Sequence, residues 1–284
     1  MKTVIITGAN SGLGFETAKK VAENHDYHVI LACRNDEKAS AAKAQIVAET
    51  ANDNVTTAHL DTSSLASVRA FAEGIIASEK KIDVLVNNAG ISPMGNTAVT
   101  EDGFELVFAT NYLGHFLLTQ LLLPHMAEDG RIYNVSSDMH NPPGGITWHG
   151  AEALAHPASD DRRKYSYSKL CMIYMTHELD RRLKEEGKSI TVNSFNPGFM
   201  ADTNFSKGGG KARELVVKTT MPDRYGKLET SSDALAKLVT EEKFGNFSGE
   251  YFDRSTNTAR SSELSYNSEN AMELWQKSVE YVKI

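Results

Sequence analysis

The sequence predicts an α/β fold, a doubly wound parallel sheet with helices on both faces. Three observations carry this reading. Short β-branched runs alternate with helix-patterned stretches from Val4 to Phe195. The strand candidates are apolar throughout instead of alternating, as in sheets covered on both faces. A glycine-rich turn, Thr7–Gly14, joins the first strand to the first helix.

The elements follow in order. Val4–Thr7 reads as a strand and Gly12–Asn24 as a helix, with Phe15, Ala18 and Ala22 at helical spacing. His28–Ala32 is a strand, Glu37–Thr50 a helix and Val55–His59 a strand. Ser63–Ser78 is a helix with Ser63 or Ser64 as its N-cap. Asp83–Val86 is a strand, Phe104–Met126 a long helix and Arg131–Val135 a strand. Tyr165–Glu186 is a helix and Ile190–Phe195 a strand. Right-handed crossovers wind such a series outward from its centre. Two segments break the alternation, Met139–Lys164 and Phe199–Thr230, the second with Gly208–Gly210. Both follow strands at the carboxyl edge of the sheet, where long loops bind ligands or act as lids. No internal repeat or linker divides the chain, so residues 1–284 form a single domain, 1–135 mainly a cofactor-binding half and 136–284 the catalytic and substrate-binding half.

Composition excludes several classes. The 284 residues are 40% hydrophobic, enough for a large core. A net charge of −7 argues against a nucleic-acid partner. Arg162-Arg163-Lys164 and Arg181-Arg182 read as solvated helix faces. Cys33 and Cys171 are too few for a disulfide scaffold and read as free thiols. The apolar run Val4–Ile6 is too short for a signal peptide, and Phe116–Leu123 reads as a buried helix segment. A cytoplasmic location with no membrane partner is expected. His177-Glu178-Leu179-Asp180-Arg181 starts like a zinc-binding H-E-x-x-H but ends in Arg, so no metal site is assigned.

Gly8, Gly12 and Gly14 permit a tight turn and close approach of a pyrophosphate to the backbone. The helix that follows offers free N–H groups and the positive end of its dipole. The spacing is not G-x-G-x-x-G, and no Lys-Ser/Thr follows, so the turn is not an NTP-binding loop. The residue that reads the adenosine ribose ends the second strand, and an acid there would bind the 2′-hydroxyl of NAD. Here that place holds Arg34, which suits a 2′-phosphate, so the expected cofactor is NADP(H).

Tyr165 and Lys169 lie four apart, on one face of their helix. A free phenol has a pKa of about 10, and a nearby ammonium favours its phenolate. Such a tyrosine can give a proton to a carbonyl and take it back from an alcohol.

The set Thr7–Gly14, Asn87-Asn88-Ala89-Gly90, Asn111, Ser136-Ser137, Tyr165-x-x-x-Lys169 and Pro197-Gly198 resembles the short-chain dehydrogenases/reductases over nearly the whole chain. The resemblance implies a Rossmann-type fold and an NADP(H)-dependent oxidoreductase acting on a small-molecule carbonyl/alcohol pair. It implies that Gly8, Asn10, Ser11, Gly12, Leu13 and Gly14 form the pyrophosphate loop. Asp61 would contact adenine, and Asn88, Ala89 and Gly90 would form the turn under the adenosine ribose. Ser137 would donate to the substrate oxygen, Tyr165 would be the acid/base, and Lys169 would tune that phenol and hold the nicotinamide ribose. Asn111 would kink its helix and hold a relay water, and Pro197-Gly198 would wall the nicotinamide. Family members often form a homodimer or homotetramer through the helices that carry Asn111 and Tyr165.

Within the family, Ile30–Arg34, Leu60–Leu65, Thr110–Phe116 and Ser168–Cys171 look like the retinol dehydrogenase and protochlorophyllide reductase branch. Eukaryotic retinol dehydrogenases usually carry an N-terminal membrane segment that this sequence does not show. Cys171 resembles the cysteine that faces the pigment in protochlorophyllide reductases, which makes C=C reduction one alternative. Asn134-Val135-Ser136-Ser137 resembles the ordinary carbonyl pattern instead. At i+6 Cys171 also points roughly 120° away from Tyr165 around the helix. A second alternative is a catalytically silent NADP-sensing protein, which loss of Tyr165, Lys169 or Ser137 would have signalled.

Overall fold

Strand β1 (Lys2–Thr7) shows how the sheet is built. Successive side chains point to opposite faces. Ile5 enters one apolar core while Val4 and Ile6 enter the other. A strand covered on both sides has no solvent-facing position to give to polar residues, hence the unbroken apolar runs. The computed structural model describes residues 1–78, 80–92, 98–158, 161–200, 215 and 217–284.

The other strands are β2 (Tyr27–Cys33), β3 (Val55–His59), β4 (Ile82–Asn87), β5 (Met126–Val135), β6 (Thr191–Asn196), β7 (Tyr251–Asp253) and β8 (Thr258–Ala259). They form an 8-stranded sheet in the order β3-β2-β1-β4-β5-β6-β7-β8. All neighbours are parallel except β7 and β8. After β3 the chain crosses to the far side of β1, so the sheet reverses direction between β1 and β4. Crevices at such reversals, at the carboxyl ends of the strands, are where open α/β sheets bind ligands.

Helices α1 (Gly12–Ala22) and α2 (Asp36–Thr50) cover one face. The opposite face carries α3 (Leu65–Ala77), α4 (Leu106–His125), the short α5 (Ala151–Ala155) and α6 (Lys164–Glu185). α7 (Leu228–Thr240) joins the first group and α8 (Ser268–Val282) the second. The cap of α3 is Ser64, whose hydroxyl accepts from Ser67 N.

The long helix expected over Phe104–Met126 is not uniform. It starts at Leu106, where the Glu105 carboxylate accepts from Phe108 N. A single π turn occupies Ala109–Leu113, and a 3-10 turn at Leu123–His125, with Pro124, ends it before Met126 enters β5. This helix is long and apolar enough to cross a bilayer, but 78% of its apolar window is buried inside the fold. Gly114 explains part of its close approach: a Cβ there would lie 2.0 Å from the Thr62 carbonyl.

The chain beyond β6 supplies β7, β8, α7 and α8, which the reading of strands and helices stopped short of. α8 packs across α4 and α6: the Trp275 ring meets Phe116 edge-on at 4.9 Å, and Tyr112 and Ser278 share a 2.8 Å hydrogen bond. The apolar run Phe116–Leu123 is thus covered on this side by a helix of the same chain. His140 is buried, with Nδ1 at 2.7 Å from Ser137 O and Nε2 accepting from Ser262 N. Of the expected pocket and lid segments, Met94–Asn96 and Gly208–Gly210 lie outside the described residues.

Candidate active site

One cleft of about 1080 Å³ opens at the carboxyl edge of the sheet. It is lined by Gly8, Asn10, Ser11, Gly12, Leu13, Arg34, Asp61, Asn88, Ala89, Gly90, Ser137, Tyr165, Lys169, Pro197 and Gly198. Residues far apart in sequence thus meet because the loops after β1, β4, β5 and β6 all end at this edge. Gly14 and Asn111 stand behind the lining and shape it.

The glycine loop must be glycine for reasons of space. Gly8 has φ +67°, and a Cβ on it would sit 2.9 Å from the Ala89 Cα. A Cβ on Gly14 would meet the Asn88 side-chain amide at 2.5 Å and the Gly8 carbonyl at 2.8 Å. Asn88 closes the joint by donating from Nδ2 to Thr7 O at 2.7 Å. The Ser11 side chain does not cap α1, so the first N–H groups of the helix face the cleft. A backbone cradle with an uncapped helix start fits a pyrophosphate.

Arg34 extends from the end of β2 with 65% of its side chain exposed, and its Nε lies 3.9 Å from Asp61. Both border the cleft at the end away from Tyr165.

The chemical end centres on α6. Tyr165 hydrogen-bonds the Ser137 side chain. The Ser137 hydroxyl also accepts from Met139 N at 3.2 Å, which fixes its direction at the end of β5. Lys169 is 3% exposed and donates to Val135 O at 2.9 Å, with Nζ 5.7 Å from the centre of the Tyr165 ring. Burial lowers its ammonium to about 8. Burial likewise pushes the Tyr165 phenol up to about 12, although its Ser137 partner pulls the other way. The expectation from spacing, an ammonium that lowers the phenol, is therefore reversed in the protein by itself. Desolvation dominates, the Asp138 charge adds to it, and the Ser137 hydrogen bond is what opposes it.

Asn111 sits in the π turn of α4, wholly buried. Its Oδ1 accepts from Ile91 N at 2.8 Å, and its Nδ2 donates to Ile91 O and to Ser168 Oγ, each at 3.0 Å. The side chain ties the Gly90–Ile91 turn to α6. Gly90 leaves room at this junction: a Cβ there would stand 3.3 Å from Asn111 Oδ1 and 3.7 Å from Lys169 Nζ.

Several supporting residues were not read from sequence. Asn196 ends β6, and its Oδ1 accepts from Asp138 N at 3.1 Å and Gly198 N at 2.9 Å. It therefore joins the serine loop to the Pro197-Gly198 turn. That turn is pressed against Gly226, where a Cβ would lie 2.1 Å from Pro197 O. Gly226 has no local motif to reveal it, whereas Asn196, beside the Pro197-Gly198 signal, was within reach. Arg162 and Lys164, expected on a solvated face, border the cleft.

The chain belongs to the short chain dehydrogenase family, whose profile matches residues 2–149. It is an oxidoreductase of this nucleotide-binding class, near the retinol dehydrogenase branch. It is 38% identical to retinol dehydrogenase 13 of Homo sapiens over 99% of this chain and 84% of that one. Among solved structures, an uncharacterized protein of Mycobacterium paratuberculosis superposes with a TM-score of 0.76 at 30% identity, covering 100% of this chain and 94% of the other. A Burkholderia cenocepacia J2315 short chain dehydrogenase, solved in complex with NADP, gives 0.70 at 25% identity over 89% and 96%.

Proposed function

We propose that this protein is an NADP(H)-dependent oxidoreductase that interconverts an aldehyde or ketone and its alcohol. The observation that carries the reading is the meeting of Ser137, Tyr165 and Lys169 in the cleft that also holds the glycine loop. Bound NADPH supplies the hydride for reduction, and NADP⁺ accepts it in the reverse direction. Gly8, Asn10, Ser11, Gly12, Leu13 and Gly14 hold its pyrophosphate. Arg34 pairs with the 2′-phosphate, Asp61 contacts the adenine, and Asn88, Ala89 and Gly90 support the ribose.

Ser137 and Tyr165 bind the substrate oxygen together. The phenol rests protonated, because burial holds it at about 12, and it gives that proton to the oxygen as the carbonyl is reduced. Lys169 holds the nicotinamide ribose and stabilises the phenolate left behind. Asn111 is a positioning residue, since its side chain is spent on Ile91 and Ser168. Pro197-Gly198 walls the nicotinamide. A protonated resting phenol suits the reducing direction. The reading includes a cytoplasmic location; cell fractionation tests that part. The central test is a panel of aldehydes and ketones followed by loss of NADPH absorbance. Turnover is expected; tight NADPH binding with no carbonyl consumed would favour a silent sensor.

A further inference from the structure

The part of the cleft beyond Ser137 and Tyr165 differs in character from the coenzyme half. Its wall includes Met139, Phe199, Met200 and Met221. Met139 is 37% exposed, so apolar surface is presented to solvent there. Two arginines, Arg162 and Arg224, are also part of the cleft lining.

Neither guanidinium is neutralised by an acid among the described residues. Arg224 donates to two main-chain carbonyls, Asp138 O at 3.4 Å and Asn141 O at 3.0 Å. These bonds hold it beside the serine loop. The neighbouring Asp138 carboxylate is committed to Arg254 at 3.4 Å. Arg162 is exposed and makes no hydrogen bond or ion pair among the described residues. It lies one turn before Tyr165 in the chain. The remaining acid on the cleft lining, Asp61, is at the other end beside Arg34.

A chain of net charge −7 thus keeps two cations, unneutralised among the described residues, on the lining of the cleft that holds its reactive tyrosine. The complement of that surface is an apolar body that ends in an anion. A guanidinium fork matches a carboxylate in particular.

We propose that the substrate is an apolar carbonyl compound that carries a carboxylate remote from the reacting carbon, received by Arg162 with Arg224. This rests on the carbonyl-reducing function proposed above. The carbonyl lies at Ser137 and Tyr165, the body runs along Met139 and Met221, and the anion meets the arginines at the mouth.

The test compares ω-oxo carboxylic acids of increasing chain length with their methyl esters. The wild type is expected to prefer the acid in kcat/KM by about tenfold or more at the best length, the scale of one charge-assisted contact. Added salt should shrink this ratio. Arg162→Glu should bring it below one, and Arg162→Lys should keep part of it. A wild-type ratio near one at every length, or a ratio untouched by Arg162→Glu, overturns the inference. Calorimetric titration of the NADPH-saturated protein with unreactive alkyl carboxylates and their methyl esters reads the anion site without turnover. Carboxylate binding with no aldehyde reduced would sustain the anion site and sink the carbonyl reading. Reduction of acids and esters alike, with no preference in binding, would do the reverse.

Discussion

His115 Nε2 stands 2.9 Å from the Thr7 hydroxyl, and this contact ties the π turn of α4 to the glycine loop. The Thr7 oxygen already accepts from Asn88 N at 2.9 Å and Ala89 N at 2.8 Å. Its own proton therefore goes to His115 Nε2, which is nearer than Val86 O at 3.4 Å. With Nε2 accepting, Nδ1 carries the ring proton and donates to Asn111 O at 3.2 Å. The ring is neutral and wholly buried, and burial lowers it to about 4, with the Lys169 charge acting in the same direction.

The first prediction follows from that neutral ring. Between its ordinary 6.5 and about 4, the unfolded chain binds a proton that the folded protein refuses. Stability therefore rises with pH across this window and falls on acidification, by an amount on the order of 3 kcal/mol from this group. His28, His140 and His177 are lowered too, so the comparison must be with a variant. In urea denaturation at stepped pH, His115→Asn should be less stable at pH 7 by about 1–3 kcal/mol. It should also lose part of the acid slope. Identical slopes for the two proteins would contradict the assigned tautomer.

The acid and its ammonium separate kinetically. Tyr165→Phe should lower turnover by about 10²-fold or more and leave NADPH affinity nearly unchanged. Lys169→Ala should damage both. Because the Lys169 ammonium lies at about 8 in the free protein, its charge is present below that pH and lost above it. The efficiency of coenzyme use should fall as pH rises through about 8, with the slope of one proton. Lys169→Arg, always charged, should lose that break even if it is slower. A wild-type profile flat into the alkaline range would remove Lys169 from this role.

The parts of the site legible in sequence were those whose chemistry depends on short spacing. Gly8 to Gly14, Asn88 to Gly90 and Tyr165 with Lys169 each announce themselves within one turn or one loop. Links made in space were not legible. Asn111 was reached through the family resemblance, which implied a kink there; apolar periodicity alone says nothing of a π turn that shifts register by one residue. His115, in the same run, was not singled out, because spacing shows nothing of its contact with Thr7. The final strands escaped because β7 is three residues long and β8 two, too short for any period to show. Arg162 is exposed as expected, but a basic run looks the same on a solvated face and on the lining of a cleft. The phenol differs: spacing gives the neighbouring ammonium but not the burial that raises the phenol.

Coenzyme choice should follow Arg34. Its guanidinium is mostly exposed and only loosely joined to Asp61, so it is available to a 2′-phosphate without breaking a tight pair. NADPH should be preferred over NADH by about tenfold or more, the scale of one charge-assisted contact. Arg34→Asp should reverse the preference, since a carboxylate repels the phosphate and accepts from a 2′-hydroxyl. The melting temperature should hold, because an exposed side chain at a strand end carries little packing. Equal efficiency with both coenzymes in the wild type would sink the assignment.

Cys171 separates carbonyl reduction from a pigment-type C=C reduction. Its side chain is wholly buried on the core side of α6, in the cluster that includes Tyr112, Leu274 and Trp275. Burial pushes the thiol well above its ordinary range, so it is a protonated apolar group there. It does not line the cleft that holds Tyr165 and Ser137. A buried thiol one helix face away from the reacting oxygen has no route to donate to a substrate. Cys171→Ala should therefore keep NADPH-dependent carbonyl turnover in the dark within about twofold. Its cost should appear in stability instead, at about 1 kcal/mol for a small cavity in a packed cluster. Thermal melts and aldehyde assays under red safelight measure the two separately. Turnover that needs illumination, or a folded Cys171→Ala protein with no activity, would make the thiol part of the chemistry and overturn the carbonyl assignment.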